Sequence, residues 1–214
     1  MSLLKLPKEI EGSNMLKKNY GRIVFVCLII ALLILCISQY HTKEIYKSAL
    51  TSKLIADISE LRSAISSNDN VYGEILRSGK VSKSQANYLM GNNDEIRRIV
   101  GDYSALAVHL GKMKEGFQYV DTPQNALKLT LYFKDLQDAG KEDFLDPNSK
   151  VIIEKALDLN SKWSGTISSR QITSIADDSW IKLLVDFEKD THIFLEENKI
   201  ENIEEFWLKR REIK

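Results

Sequence analysis

The sequence predicts an all-α fold, in which a single N-terminal transmembrane helix is followed by an antiparallel bundle of four to five amphipathic helices. Three observations support this prediction. Residues 23–37 are fifteen apolar residues without interruption. Beyond residue 40, apolar residues recur at steps of three and four, the period of a helix with one buried face. Only three prolines and ten glycines occur in 214 residues, and no stretch alternates as a strand would, which favours helices.

The first element is the predicted membrane helix, residues 20–40. A hydrocarbon core of about 30 Å needs about twenty helical residues. Tyr20 and Tyr40 stand at its two ends, where aromatic rings with a polar tip prefer to lie, and Arg22 can extend its charge to the headgroups. The segment is apolar on every face, whereas a core helix of a soluble protein would carry a polar stripe.

Its orientation follows from the charges that flank it. Residues 1–22 contain five basic and two acidic residues, a net charge of +3, and the rest of the chain carries −3. Lys17, Lys18 and Arg22 crowd the N-terminal edge, and positively charged short flanks stay in the cytoplasm. We therefore expect the N-terminus in the cytoplasm.

The expected organisation has three parts: a short cytoplasmic tail at 1–19, a signal anchor at 20–40, and an extracytoplasmic helical domain at 41–214. The protein would then be a single-pass protein of the plasma membrane. A cleavable signal peptide, cut after Ser38, is an alternative that also exports the domain. No N-x-S/T glycosylation sequon occurs, which suits a bacterial envelope.

The first helix of this domain is predicted to continue from the membrane segment and to end in the turn formers at 66–70. A separate short helix, Val71–Arg77, would follow and end at Gly79. The apolar stripe of the first helix consists of Ile45, Leu50, Leu54, Ile58, Leu61 and Ile65.

The longest helix is predicted to begin after Ser82, which forms a capping box with Gln85. We interpret Gly91, Gly101 and Gly111 as sites of close helix approach or mild kinks, since each costs about 1 kcal/mol relative to Ala. The stripe consists of Leu89, Ile96, Val100, Tyr103, Ala107 and Leu110, with Asn93 in the gap.

Two proline pairs, Thr122-Pro123 and Asp146-Pro147, predict the starts of the next two helices. Gly140 suits the end of the first, and residues 165–170 predict a connection after the second. The two stripes consist of Ala126, Leu129, Phe133 and Leu136, and of Ile152, Ala156, Leu159, Trp163 and Ile167.

A final long helix is predicted from Thr173 or Ser174 to the C-terminus. Trp207 near its end has two interpretations: a buried residue of a well-oriented terminal helix, or a contact to lipid headgroups or a partner, together with the bases that follow it. The stripe consists of Trp180, Leu184, Phe187, Thr191, Phe194, Ile200 and Ile203, and the bases are Lys209, Arg210, Arg211 and Lys214.

The residues that could carry chemistry form no recognisable pattern. His41, His109 and His192 lie in three different segments, and both cysteines, Cys27 and Cys36, lie within the apolar run. No phosphate-binding loop, nucleophile elbow or Glu-x-x-His motif occurs. We therefore predict no catalytic, cofactor-binding or metal-binding residues, no cofactor, and no enzyme activity.

The predicted function is that of a membrane-anchored interaction protein. A slightly acidic domain lacks the positive charge that nucleic-acid binding needs, so nucleic acid is excluded as a partner. The expected partners are the lipid bilayer and another membrane or envelope protein. The alternative, from a different class, is a ligand-sensing module that admits a small molecule between its helices and acts through a membrane partner.

Overall fold

A computed structural model describes residues 11–113, 121–138 and 143–208. The chain divides into two compact units, Met1–Ala49 and Leu50–Lys214. The all-α class is confirmed. The elements in chain order are α1 (Glu11–Ser78), β1 (Lys80–Val81), α2 (Lys83–His109), α3 (Asp121–Asp138), β2 (Asp143–Phe144), α4 (Pro147–Ser168), α5 (Ser179–Glu197) and α6 (Ile203–Leu208).

The two strands are an addition to the prediction, although each has only two residues. Lys80 pairs with Phe144 and Val81 with Asp143 in antiparallel register, and the Leu145 amide donates to the Gly79 carbonyl at 2.9 Å. Such a pair is too short for the period-two alternation from which a strand is predicted.

The first unit contains the apolar part of α1. All side chains from Arg22 to Lys43 are exposed. Within the described residues, α1 is the one helix whose length and composition would allow it to cross a membrane, and its apolar segment lies near the N-terminus.

The second unit is built on one core of apolar side chains from all six helices. Along α1 the buried face begins at Leu54, so the predicted stripe is buried only from that residue onward. Ile45, in the first unit, and Leu50 are 59% and 45% exposed. The largest fully buried side chains are Trp163, Trp180, Trp207, Tyr72, Tyr132, Phe133, Phe187 and Phe194.

The predicted break in α1 at residues 66–70 is wrong. The helix continues to Ser78, and Tyr72 and Ile75 extend its buried face. The prediction treated Asn68 as a turn residue. Its side chain is in fact fully buried and hydrogen-bonded to other helices, so Asn68 is a polar residue of the core. The predicted end at Gly79 is correct, since this glycine has the left-handed φ of +67° that favours glycine after a helix.

The capping box of α2 is confirmed: Gln85 N donates to Ser82 Oγ at 3.2 Å, and Ser82 N donates to Gln85 Oε1 at 3.0 Å. The interpretation of the glycines as sites of close helix approach is wrong. A Cβ added at Gly91 or Gly101 would meet no atom within 4 Å. Gly111 lies just past the end of α2 with φ +65°, as a helix-ending glycine does.

The starts of α3 and α4 agree with the predictions to within a residue. Asp146 caps α4 by accepting from the amides of Asn148 and Ser149 at 2.8 and 3.0 Å, and α3 begins at Asp121. The connection predicted at residues 165–170 is wrong in its first half, because α4 continues to Ser168 with Thr166 and Ile167 buried. Gly140 lies outside the described residues.

The single long C-terminal helix is also wrong. α5 begins at Ser179, because Asp177 caps the turn before it by accepting from the Ser179 amide at 2.9 Å. It ends at Glu197, because Lys199 takes the left-handed conformation with φ 52°, and α6 is a separate short helix. The predicted buried face is correct for Trp180, Leu184, Phe187, Thr191 and Phe194.

Candidate functional site

The most organised polar chemistry in the second unit is an asparagine network, formed by Asn68 and Asp69 of α1, Asn92 of α2 and Asn160 of α4. Asn92 Nδ2 donates to Asn68 Oδ1 at 2.9 Å, and Asn68 Nδ2 lies 3.5 Å from Asn160 Oδ1. Asn160 Nδ2 in turn donates to Asp69 Oδ1 at 2.7 Å and to the Ile65 carbonyl at 2.8 Å. The network joins three helices at one level of the core.

The sequence did carry a signal for this network. Asn68 stands three residues after Ile65, and Asn160 stands four residues after Ala156. Both asparagines therefore occupy positions of a buried stripe. We interpreted Asn68 as a turn former because asparagine favours turns.

A second polar contact joins α1 to α2 through Asp57. Its carboxylate accepts from Lys53 Nζ at 2.6 Å and from Tyr103 OH at 2.8 Å. Burial raises the pKa of the Asp57 carboxyl, but the two hydrogen bonds and the positive charges of Lys53 and Arg98 together outweigh that effect, and the net pKa is lowered. Burial and the bond to Asp57 both raise the pKa of the Tyr103 phenol. Asp57 is therefore an ionised carboxylate that accepts hydrogen bonds from the neutral Tyr103 phenol and from the Lys53 ammonium group.

A third polar cluster attaches the start of α3 to α5. Glu188 accepts from the amides of Asp121 and Thr122 at 2.7 and 3.2 Å, so an α5 carboxylate caps the α3 N-terminus, where negative charge is favoured. Thr122 Oγ1 lies 2.7 Å from Thr191 Oγ1, which also accepts from Trp163 Nε1 at 2.9 Å. Burial raises the pKa of Glu188 above its usual value in spite of these bonds.

The three histidines lie in three different helices, α1, α2 and α5, and all are exposed. His109 Nδ1 lies 2.8 Å from the Ala105 carbonyl of its own helix. His192 Nε2 lies 3.1 Å from Glu196, and its Nδ1 lies 3.7 Å from Asp121. Over the part of the chain that the structure describes, no three His, Cys, Asp or Glu side chains form a group that could hold a metal ion.

The two cysteines and the C-terminal aromatic residue differ in their surroundings. Cys27 and Cys36 are free and exposed in the apolar part of α1. Trp207 is 1% exposed; its Nε1 donates to Asn125 Oδ1 at 2.7 Å, and its ring stacks on Phe194. The interpretation of Trp207 as a lipid or partner contact is therefore wrong. The four bases after it lie outside the described residues.

Comparisons of the chain with protein-family models, curated proteins and solved structures give no match. The fold by itself defines a class: an all-helical protein with one helix near the N-terminus that is long and apolar enough to cross a membrane.

Proposed function

We propose that this chain is a single-pass, non-enzymatic docking protein of the plasma membrane, which carries a helical bundle outside the cytoplasm and binds one membrane or envelope partner. The observation that carries the proposal is the uncovered apolar part of α1. The proposed topology places residues 1–19 in the cytoplasm, 20–40 in the bilayer and 41–214 outside.

The energetics of the apolar part of α1 support an anchor. Fully burying one Val, Leu, Ile or Phe side chain is worth about 1.5–3 kcal/mol, and residues 23–37 offer fifteen apolar side chains, all exposed. A bilayer supplies the missing apolar surroundings. A helix also satisfies its own backbone polar groups there, which lipid requires.

The position of the partner contact is suggested by two residues that follow the anchor in the same unit. Ile45 and Tyr46 are 59% and 66% exposed, directly after the segment proposed to lie in the bilayer. An aromatic and a branched aliphatic side chain at this level would meet a neighbouring membrane protein. In the second unit, α2, α3 and α5 each carry one exposed large apolar side chain, Tyr88, Leu127 and Val185, and single residues of this kind are ordinary on a surface.

Topology is tested by labelling with a membrane-impermeant maleimide in intact spheroplasts. The parent carries Cys27→Ala and Cys36→Ala, and single cysteines are then introduced as Ser13→Cys or Ser161→Cys. We expect immediate labelling at position 161, and labelling at position 13 only after permeabilisation. The reverse pattern would place the domain in the cytoplasm and overturn the proposal, as would recovery of the whole chain in the aqueous phase.

Docking is tested by replacing Tyr46 with a photo-crosslinking amino acid in the full-length protein. The matched control is Tyr88, which is also exposed, at 49% against 66% for Tyr46. We expect one defined adduct with a membrane protein from position 46, and none from position 88. A saturable thermal shift of the full-length protein with a small metabolite, without any adduct at position 46, would instead support the ligand-sensing alternative.

A further inference from the structure

We infer that the asparagine network is a register lock, which fixes the axial position of α1 against α2 and α4. The inference concerns the second unit alone and does not depend on the proposed function. It rests on two observations. Apolar contacts of α1 would fit several axial positions of the helix, whereas its buried hydrogen bonds fit only one.

Between Leu54 and Ile65, the apolar face of α1 does not by itself define a register. A slip of four residues would place Ile58 where Leu54 lies and Ile65 where Leu61 lies. A slip of seven would place Leu61 at the position of Leu54. All four side chains are buried and aliphatic, and apolar contact has no direction. Such slips would preserve much of the apolar contact of α1.

The asparagine network distinguishes these registers. Asn68 is completely buried, and Asn160 is 1% exposed. Any slip of α1 would separate Asn68 from Asn92 and Asn160, and would leave buried polar groups without a partner, which is unfavourable. Buried asparagines are known to specify register in coiled coils in this way.

Contacts elsewhere on α1 agree with the same register. Arg62 Nη2 lies 3.3 Å from the carbonyls of both Ile167 and Arg170, at the end of α4. Asp57 accepts from Tyr103 of α2. The Arg62 contacts are closer to solvent and involve a long side chain, which could follow a moving helix. The Asp57–Tyr103 bond is buried and supports the same register as the asparagine network. A displacement of this part of α1 along its axis would therefore move α2 and α4 with it.

The test is the distance between spin labels at Ser66→Cys in α1 and Asp158→Cys in α4, both exposed positions. It uses the full-length protein in detergent with Cys27→Ala and Cys36→Ala. We expect one narrow distance distribution in this parent. The double variant N68L/N160L should stay helical but show a second population, displaced by about 6 Å for a slip of four residues at a rise of about 1.5 Å per residue.

The matched control is a label pair at Ser84→Cys and Lys134→Cys, in α2 and α3, whose distribution should not change. An unchanged single distribution between positions 66 and 158 in a folded N68L/N160L would overturn the lock. If N68L/N160L does not fold, the single variant N160A decides: it removes the α4 side of the network. Broadening between positions 66 and 158, with the control pair unchanged, supports the lock, and a parental distribution rejects it.

Discussion

Two regions of α1 have the same secondary structure but opposite surroundings. From Arg22 to Ile37, every apolar side chain is exposed around the whole circumference of the helix. From Leu54 to Ile75, most apolar residues occupy one face and are buried, and Asn68 and Asp57 lie among them. The first region needs only a uniform apolar solvent, so it needs no particular neighbour. The second region needs specific neighbouring helices, and the hydrogen bonds of Asn68 and Asp57 show which helices these are.

The largest expected effect comes from truncating one large side chain in each environment, the packed core and the exposed apolar part of α1. Trp163 is fully buried, its ring lies 6.5 Å from that of Phe187, and its indole donates to Thr191. Trp163→Ala should lower the free energy of unfolding of the domain by about 3–5 kcal/mol. Chemical denaturation in detergent, followed by near-ultraviolet circular dichroism, measures it.

The control is Leu32→Ala in the apolar part of α1. Leu32 is 59% exposed, so its truncation leaves no cavity in the protein core, and the denaturation midpoint should not change. Similar losses in both variants would show that the apolar part of α1 and the core of the second unit are not energetically distinct.

The second test introduces a charge into each region. Ile30→Arg places an arginine at the centre of the apolar segment, where insertion into a bilayer costs about 2.5–3.5 kcal/mol more. We expect the membrane-integrated fraction of this variant, measured by alkaline carbonate extraction, to fall severalfold. Ile55→Arg is the control, because Ile55 is exposed on α1 in the second unit. Equal extraction of both variants and the parent would contradict an anchor at 20–40.

The same two regions show how far the sequence determines the fold. The apolar segment depends on composition alone, so its position follows directly from a run of fifteen apolar residues. Helix starts were predicted well where the cap is local, as at Ser82 and Asp146. The errors fell where a distant partner decides. Asn68 continues α1 because α2 and α4 satisfy its side chain, and no local rule reveals those partners.

The polar clusters were missed for a related reason. Glu188 is an unremarkable acid on α5 in the sequence, and its role as a cap for α3 depends on a contact made 67 residues away. Thr191 was predicted as buried from its position in the stripe, but its bond to Trp163 was not. Periodicity predicts which residues face inward, and only the packed structure shows which helix each one meets.

A third test concerns this long-range cap. Glu188→Ala removes the acceptor for the amides of Asp121 and Thr122, and should lower the free energy of unfolding by about 1–3 kcal/mol. Glu188→Gln keeps an acceptor oxygen and should cost less. Chemical denaturation at neutral pH compares the two variants with the parent, and an equal loss in both would show that the side chain acts by its charge.

The pH dependence of stability sharpens this test. Because the folded pKa of Glu188 is raised above its usual value of 4.5, its titration favours the folded state below that value, and the benefit is lost as pH rises through the folded pKa. The stability of Glu188→Gln relative to the parent should therefore increase from acidic to neutral pH. A relative stability that decreases over that range would mean that the α3 N-terminus lowers the pKa instead.

The smallest expected effect contrasts two glycines of the same helix region. Gly91 lies inside α2 with open space around the position of a Cβ, so Gly91→Ala should raise the free energy of unfolding by about 0.5–1 kcal/mol. Gly111 has φ +65°, a conformation that costs an L-residue about 1–2 kcal/mol, so Gly111→Ala should lower it. Thermal unfolding of the two variants beside the parent gives both signs. Stabilisation by both substitutions would mean that α2 continues through Gly111 instead of ending at His109.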